Sequence, residues 1–249
     1  MLHRHGCTTV IASRKFDRLK QSADALSIAT GQQCLPIQMD VRKPIEVMNT
    51  VDEAISSFKR IDILINNAAG NFLTPTSGLS FNAYKTVLDI DTVGTFNVSK
   101  VIYEKYMQNH GGVIINITAT LYYRGQTLQA HAGSAKAAID ALTKHFAVEW
   151  GPNNVRVIGI APGLVAGTGF AMAIGGVDSD AYREYVSGIP LHRESAKVDV
   201  AHAVLFCVSP AAKMITGHTL VADGGSWLTF ANPVYNIISP TASNVKSKM

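Results

Sequence analysis

Lys136 stands near the start of LQAHAGSAKAAIDALTKHFAVEW, residues 128–150, whose apolar spacing predicts a helix. An amine on a helix can hold a proton or lower the pKa of an acid one turn away. Upstream, DIDTVGTFN carries two carboxylates, Asp89 and Asp91, and spacing alone does not choose which of them serves such a lysine. Other side chains with chemistry stand where apolar, β-branched runs end. Ser13-Arg14 follow one run, Asp40-Val41-Arg42 close a second, and Asn67 to Gly70 a third. Thr118 to Thr120 and Pro162 to Thr168 end two more. In parallel sheets ligands bind beyond the carboxyl ends of the strands, so these residues would line one crevice.

The elements that must position them are legible as an alternation. TTVIAS (8–13), CLPIQMDV (34–41), IDILINNAAG (61–70), VIINIT (113–118), VRVIGIAPG (155–163) and TLVADGG (219–225) read as strands. Between them, helical spacing runs over 16–30, stopping at Gly31, and over 44–58, opened by Pro44. A long helical region spans about 81–109, the Lys136 helix follows, and another lies near 199–208, with a loop expected after Gly163. Strand–helix alternation means right-handed βαβ crossovers. The expected fold class is α/β, a Rossmann-type doubly wound parallel sheet forming one domain over 1–249, with a polar tail from about 228.

Composition narrows the function. Of 249 residues 47% are hydrophobic and 16% charged, which suits a large buried core. The apolar runs are too short to span a bilayer, and no apolar segment follows MLHRHGC as in a signal peptide. Cys7, Cys34 and Cys207 are odd in number and scattered, which argues for a reducing compartment and against a disulfide frame or a metal site. A net charge of +4 without a basic run suits phosphate-bearing small molecules and argues against nucleic acid.

NNAAG, INIT, APG and DGG, in this order at strand ends, resemble the short-chain dehydrogenase/reductase family over nearly the whole chain. The segments MDVR, AAGNF, LSFNAYKTVLDID, INITATL and HAGSAKAAIDA are most similar to its branch that reduces 2,4-dienoyl-CoA thioesters with NADPH in peroxisomal oxidation of unsaturated fatty acids. Carbonyl-reducing members keep a tyrosine four residues before the lysine and a serine after the fifth strand. Here those positions are Ala132 and Ala119, and Gln129 stands where enoyl-carrier-protein reductases place a tyrosine. The resemblance implies that Asp91 and Lys136 are catalytic. Together they would hold the water that protonates the α-carbon, so no phenol is needed at a carbonyl oxygen.

The resemblance also implies cofactor contacts. Arg14 would clamp the adenosine 2′-phosphate of NADP with its planar guanidinium, where an NAD enzyme carries an acid. Asp40 would meet the adenine amino group, and Lys136 the nicotinamide ribose. Pro162, Gly163, Leu164 and Thr168 would pack on nicotinamide and pyrophosphate. Arg42, Phe72, Ser80, Phe81 and Asn82 match acyl-CoA contacts, although Phe72 and Phe81 fit a core role equally well. The loop GTGFAMAIGG lacks the basic residue expected for a CoA phosphate, with Ala173 about where it would fall.

Homo-oligomerisation, as a tetramer through the helices over 81–109 and 133–150, is expected by resemblance. Ser247-Lys248-Met249 resembles a peroxisomal address read by an import receptor, with the cytoplasm as the alternative location. No strand and glycine-rich phosphate turn stand upstream of MLHRHGC, so the sequence reads as a shortened form of a competent reductase. Loss of a central strand would leave two rows of backbone groups unpaired, at about 1–3 kcal/mol each, unless TTVIAS and DILINN pair directly. That leaves a non-catalytic binding or oligomer subunit, or a reductase of another substrate, as the competing functions.

Overall fold

The computed structural model describes residues 1–176 and 178–229. A short 3-10 turn, Leu2–His5, leads into β1 (Thr9–Ser13), α1 (Phe16–Thr30), β2 (Cys34–Gln38), α2 (Pro44–Phe58) and β3 (Ile63–Asn66). Gly31 ends α1 at φ 71°, the left-handed position glycine fills without strain, and Pro44 opens α2 in its first turn. Then come α3 (Phe81–Leu88), α4 (Gly94–Ile102), α5 (Gln108–His110), β4 (Gly112–Ile117), α6 (Ala130–Trp150) and β5 (Val155–Pro162). The chain continues through α7 (Gly169–Ala173), α8 (Asp180–Ser187), α9 (Lys197–Val208), β6 (Thr219–Ala222) and α10 (Ser226–Thr229).

Every strand pair is parallel. β3, β4, β5 and β6 form one sheet in that order, with Ile115 opposite Ile65 on one side and Ile158 on the other. Helices cover both faces, so Ile114, Ile115, Val157, Ile158 and Ile160 are fully buried, as a continuous apolar strand pattern requires. β1 and β2 form a separate pair, from Thr9 opposite Cys34 to Ser13 opposite Gln38.

Direct pairing of TTVIAS with DILINN is not what the structure shows. Among the described residues β1 and β3 each keep one unpaired edge. Side chains join the two sheets instead. Met39 beyond β2 and Val47 and Val51 on α2 pack into one core with Leu64, Val98, Val101, Ile114, Phe146 and Trp150. Asn97 Nδ2 donates to the Val41 carbonyl at 3.0 Å, and a Cβ on Gly94 would lie 2.5 Å from Val41 Cγ2. The Val41 side chain, in the turn between β2 and α2, therefore fills the space that a Cβ at position 94 would need.

Two further differences have local causes. The region expected as one helix over 81–109 is interrupted by π-helical segments, Asp89–Val93 and Tyr103–Met107. The segment expected as a loop after β5 contains α7 and α8. Ser179 caps α8 by accepting the Tyr182 amide at 3.1 Å, and Tyr182 and Tyr185 bury against Leu164, Ala171, Ile174 and Ile189. The tail expected from 228 begins within α10, whose start is held by Asp223 accepting the Gly225 and Trp227 amides. Residues 230–249, with Ser247-Lys248-Met249, lie outside the described residues. Among the described residues no helix is long and apolar enough to cross a membrane.

The split sheet predicts a graded pattern of amide exchange. Amides of β4 and β5 should be the slowest in the chain. Those on the open edges of β1 and β3 should exchange at least about tenfold faster, as residue-resolved hydrogen exchange will record.

Candidate active site

α6 carries Lys136 because its inner stripe is apolar or small. Ala132, Ala135, Ile139, Thr143 and Phe146 are buried, and the helix lies along β5. The lysine side chain lies inward, with 11% of its surface exposed. Its Nζ is 3.0 Å from Asp91 Oδ2 and donates to the Ile117 carbonyl at 3.3 Å, at the end of β4. Asp91 itself is 1% exposed, and its Oδ1 accepts the Gly70 amide at 2.7 Å, from the turn after β3. Two strand ends and two helical segments thus meet at one ion pair. Thr118 anchors the arrangement further, its Oγ1 donating to the Lys136 carbonyl at 3.3 Å.

The choice between Asp89 and Asp91 is made by the π-helical segment that holds both. Asp89 is directed outward, where it pairs with Lys85 one turn earlier in α3. Asp91 is directed inward onto Lys136. Widened helical turns of this kind occur often at functional sites. Beneath the pair, Asn66 Nδ2 donates to Ser99 Oγ at 2.9 Å and to Asn116 Oδ1 at 2.8 Å. Asn116 Nδ2 in turn reaches Thr143 Oγ1 at 2.9 Å. This buried network ties β3, β4, α4 and α6 together, and nothing in local spacing announces it.

Asp40 and Arg42 hold each other. Arg42 Nε donates to Asp40 Oδ1 at 2.9 Å and its Nη2 to Oδ2 at 2.5 Å. That two-pronged bond holds the Asp40 carboxyl at about 2, against an ordinary 3.8. Arg14 is exposed beyond β1 and lines a cavity of about 430 Å³ with Ser13, Lys15, Arg18, Leu19 and Ser22. Lys15, Arg18 and Ser22 were not singled out from sequence, although their spacing on the first turns of α1 is the signal that finds them. Of the residues matched to acyl-CoA contacts, Ser80 caps α3 by accepting the Ala83 amide at 3.1 Å. Phe81 is 97% exposed and Phe72 40%, which removes the core reading for both. Asn82 is exposed beside them.

Around Pro162 the backbone is closely confined. A Cβ on Gly163 would lie 2.8 Å from Asp223 Cβ, so β5 and β6 come together here only through glycine. Leu164 is buried and its carbonyl accepts the Ser195 amide at 2.8 Å, while Thr168 Oγ1 donates to the Val165 carbonyl at 2.8 Å. Ala173 lies on α7, exposed. At the other end of the crevice Phe72 stacks on His131, ring centroids 4.3 Å apart. Burial lowers the His131 pKa, against the Phe72 backbone and Asp91, which favour its charged form. Gln129 and His131 are both buried, and the sequence pattern had drawn attention to Gln129 only as a missing tyrosine.

The chain resembles known proteins in both sequence and fold. The sequence model of the family described as enoyl-(acyl carrier protein) reductase matches residues 1–226. The chain is 56% identical over 243 residues to a peroxisomal 2,4-dienoyl-CoA reductase, (3E)-enoyl-CoA-producing, of Danio rerio, covering 98% of this chain and 81% of the relative. A short-chain type dehydrogenase/reductase from Mycobacterium ulcerans superposes with a TM-score of 0.89 at 26% identity, over 96% of this chain and 87% of that one. A gluconate 5-dehydrogenase from Burkholderia cenocepacia, solved with NADP and tartrate, gives a TM-score of 0.83 at 25% identity, over 89% of this chain and 86% of that one.

Two outcomes test the electrostatics. Removing one partner of a buried ion pair leaves the other uncompensated, so Lys136→Met should destabilise by about 3–5 kcal/mol. Adding Asp91→Asn to that variant should restore part of the loss in urea unfolding. At the outer pair the sign follows from a folded pKa below the unfolded one. Its stability is present above about 3.8 and lost as pH falls toward about 2. Arg42→Met should therefore be less stable than the parent at neutral pH, with the difference closing across that window.

Proposed function

The chain belongs to the short-chain dehydrogenase/reductase family, and we propose that it is the NADPH-dependent reductase that converts 2,4-dienoyl-CoA to 3-enoyl-CoA in peroxisomal oxidation of unsaturated fatty acids. One observation carries this reading. The site holds a buried Asp91–Lys136 pair while the positions of the carbonyl-reducing serine and tyrosine are Ala119 and Ala132. Such a site has no phenol to protonate an oxygen but has two charged groups that can hold a water and deliver its proton to carbon. The 56% identity to the Danio rerio reductase supports the same substrate class.

The cofactor-end residues fit a phosphate. The cavity beyond β1 is lined by Arg14, Lys15 and Arg18 with the hydroxyls of Ser13 and Ser22 and no carboxylate, a donor set that suits the 2′-phosphate of NADP and has no acid for a free ribose hydroxyl. Asp40, clamped by Arg42, lies at the adenine end, and Lys136 would reach the nicotinamide ribose. The confined backbone from Pro162 to Leu164 and the Thr168 turn would pack on the nicotinamide side. Bound there, NADPH supplies a hydride to the far end of the conjugated thioester.

The chain's own task is the proton. Asp91 orients the Lys136 ammonium, and the Gly70 amide fixes Asp91 in turn. A water bonded to both gives its proton to the α-carbon, and Lys136 replaces it. Arg42 and the exposed face formed by Phe72, Ser80, Phe81 and Asn82 would receive the CoA and acyl parts. The exposed Val93, Phe96 and Val148 side chains support assembly of identical subunits through α4 and α6.

The test is NADPH oxidation followed by its near-ultraviolet absorbance. Oxidation should require a 2,4-dienoyl-CoA, yield the 3-enoyl product and be absent with ketones. Ketone reduction without dienoyl-CoA reduction would overturn the proposal. Arg14→Ser should lower the preference for NADPH over NADH by roughly 10- to 100-fold in kcat/KM, the worth of one charge-assisted hydrogen bond.

A further inference from the structure

The segment that leaves β3 is held at several points along the site. The Gly70 amide bonds Asp91 Oδ1 at 2.7 Å. The Thr74 amide donates to the Leu128 carbonyl at 3.3 Å, just ahead of α6. Leu128 takes φ 66°, a left-handed conformation that is costly for a branched side chain, so this docking point is kept against backbone strain. Leu73 packs against Leu164, Ile174 and Tyr182 on the other flank. The backbone is thus fixed on either side of Phe72.

The Phe72 ring is seated by His131. The two rings stack with centroids 4.3 Å apart and planes 22° from parallel. His131 is fully buried, and neither ring nitrogen has a partner with hydrogen-bond geometry. A buried imidazole without hydrogen bonds acts through its shape. Burial disfavours its charged form, which suits a ring packed flat on an aromatic neighbour. The imidazole takes one face of Phe72, yet Phe72 is 40% exposed, so the other side of the ring is what the chain offers to a ligand. Two residues of backbone span at most about 7 Å, which keeps Phe72 close to the Gly70 amide and so to Asp91. An open aromatic face at that distance fits a flat, apolar, conjugated chain.

We infer that His131 is a positioning residue that sets the tilt of Phe72 against the conjugated acyl chain of the substrate. The inference rests on the function proposed above. A dienoyl thioester is planar while its C=C bonds are conjugated with C=O. Hydride addition at the far carbon runs along the normal to that plane, so the tilt of the plane decides the alignment of the reacting atoms. Phe72 supports the plane, and His131 supports Phe72. His131, being fully buried, touches no substrate and passes no proton to it.

The experiment measures kcat, KM and the pH profile of dienoyl-CoA reduction, with NADPH affinity and melting temperature. The variants are His131→Leu, His131→Phe, Phe72→Ala, and His131→Leu combined with Phe72→Ala. His131→Leu keeps most of the volume and loses the flat ring. It should lower kcat/KM roughly 5- to 10-fold, the worth of one aromatic pair, with NADPH affinity unchanged. The combined variant should fall no further than Phe72→Ala alone, within about twofold, because His131 acts through Phe72. His131→Phe should return to within about twofold of the parent and keep its pH profile, since the ring matters and its nitrogens do not. Turnover of His131→Leu within about twofold of the parent overturns the inference. So do additive losses in the combined variant, a His131→Phe no better than His131→Leu or shifted in its pH profile, and a loss that only tracks weaker NADPH binding or a lower melting temperature. A parent that binds NADPH and does not reduce dienoyl-CoA overturns the functional reading itself, and this inference with it.

Discussion

The ion pair between Lys136 and Asp91 is the contact around which this chain is arranged. Two charges taken out of water are stable only if their remaining lone pairs and protons are also satisfied. Here the Gly70 amide bonds Asp91 Oδ1 at 2.7 Å and the Ile117 carbonyl accepts from Lys136 at 3.3 Å, while Asp91 Oδ2 has the ammonium as its ion-pair partner at 3.0 Å. The turn after β3, the end of β4, the π-helical segment before α4 and the first turns of α6 must therefore converge within a few ångströms. The Asn66–Asn116–Thr143 network beneath them ties β3, β4 and α6 from the core side, and Asn66 also bonds Ser99 on α4. Gly94, just past the π-helical segment, lets α4 close onto Val41 at a distance no other residue allows.

That last contact has a consequence for the whole molecule. The cavity lined by Arg14 lies beyond β1 of the two-stranded sheet, whereas the Asp91–Lys136 pair lies at the four-stranded sheet. No strand pairing joins the sheets among the described residues. The distance from Arg14 to Lys136 is set instead by apolar packing of Met39, Val47 and Val51 against Leu64 and Val98. Side-chain packing is short-ranged and nearly incompressible, so it transmits position well even where backbone hydrogen bonds do not.

The polar inventory of the crevice is divided by chemistry. The charged Asp91–Lys136 and Asp40–Arg42 groups are paired, whereas the side-chain polar atoms of Gln129 and His131 are buried without hydrogen-bond partners. A charged group left unpaired in such a place would be far more costly than an amide.

Strand and helix alternation was legible in the residues themselves, because periodicity is a local property of the chain. The placement of Arg14, Asp40 and Lys136 at strand ends and a helix start was legible too. The α8 helix was legible in principle from Ser179 with Tyr182 and Tyr185 behind it, but such a short helix depends on its neighbours for burial. Spacing left Asp89 and Asp91 equivalent, for both lie on one predicted helix. Only the tertiary structure separated them, by widening a turn so that one pairs with Lys85 and the other with Lys136. The pairing of Asp40 with Arg42, the unpartnered state of Gln129 and the joining of two sheets through α2 and α4 were likewise decided there. Each depends on which groups compete for a partner across the fold, and that competition exists only once distant segments are in contact.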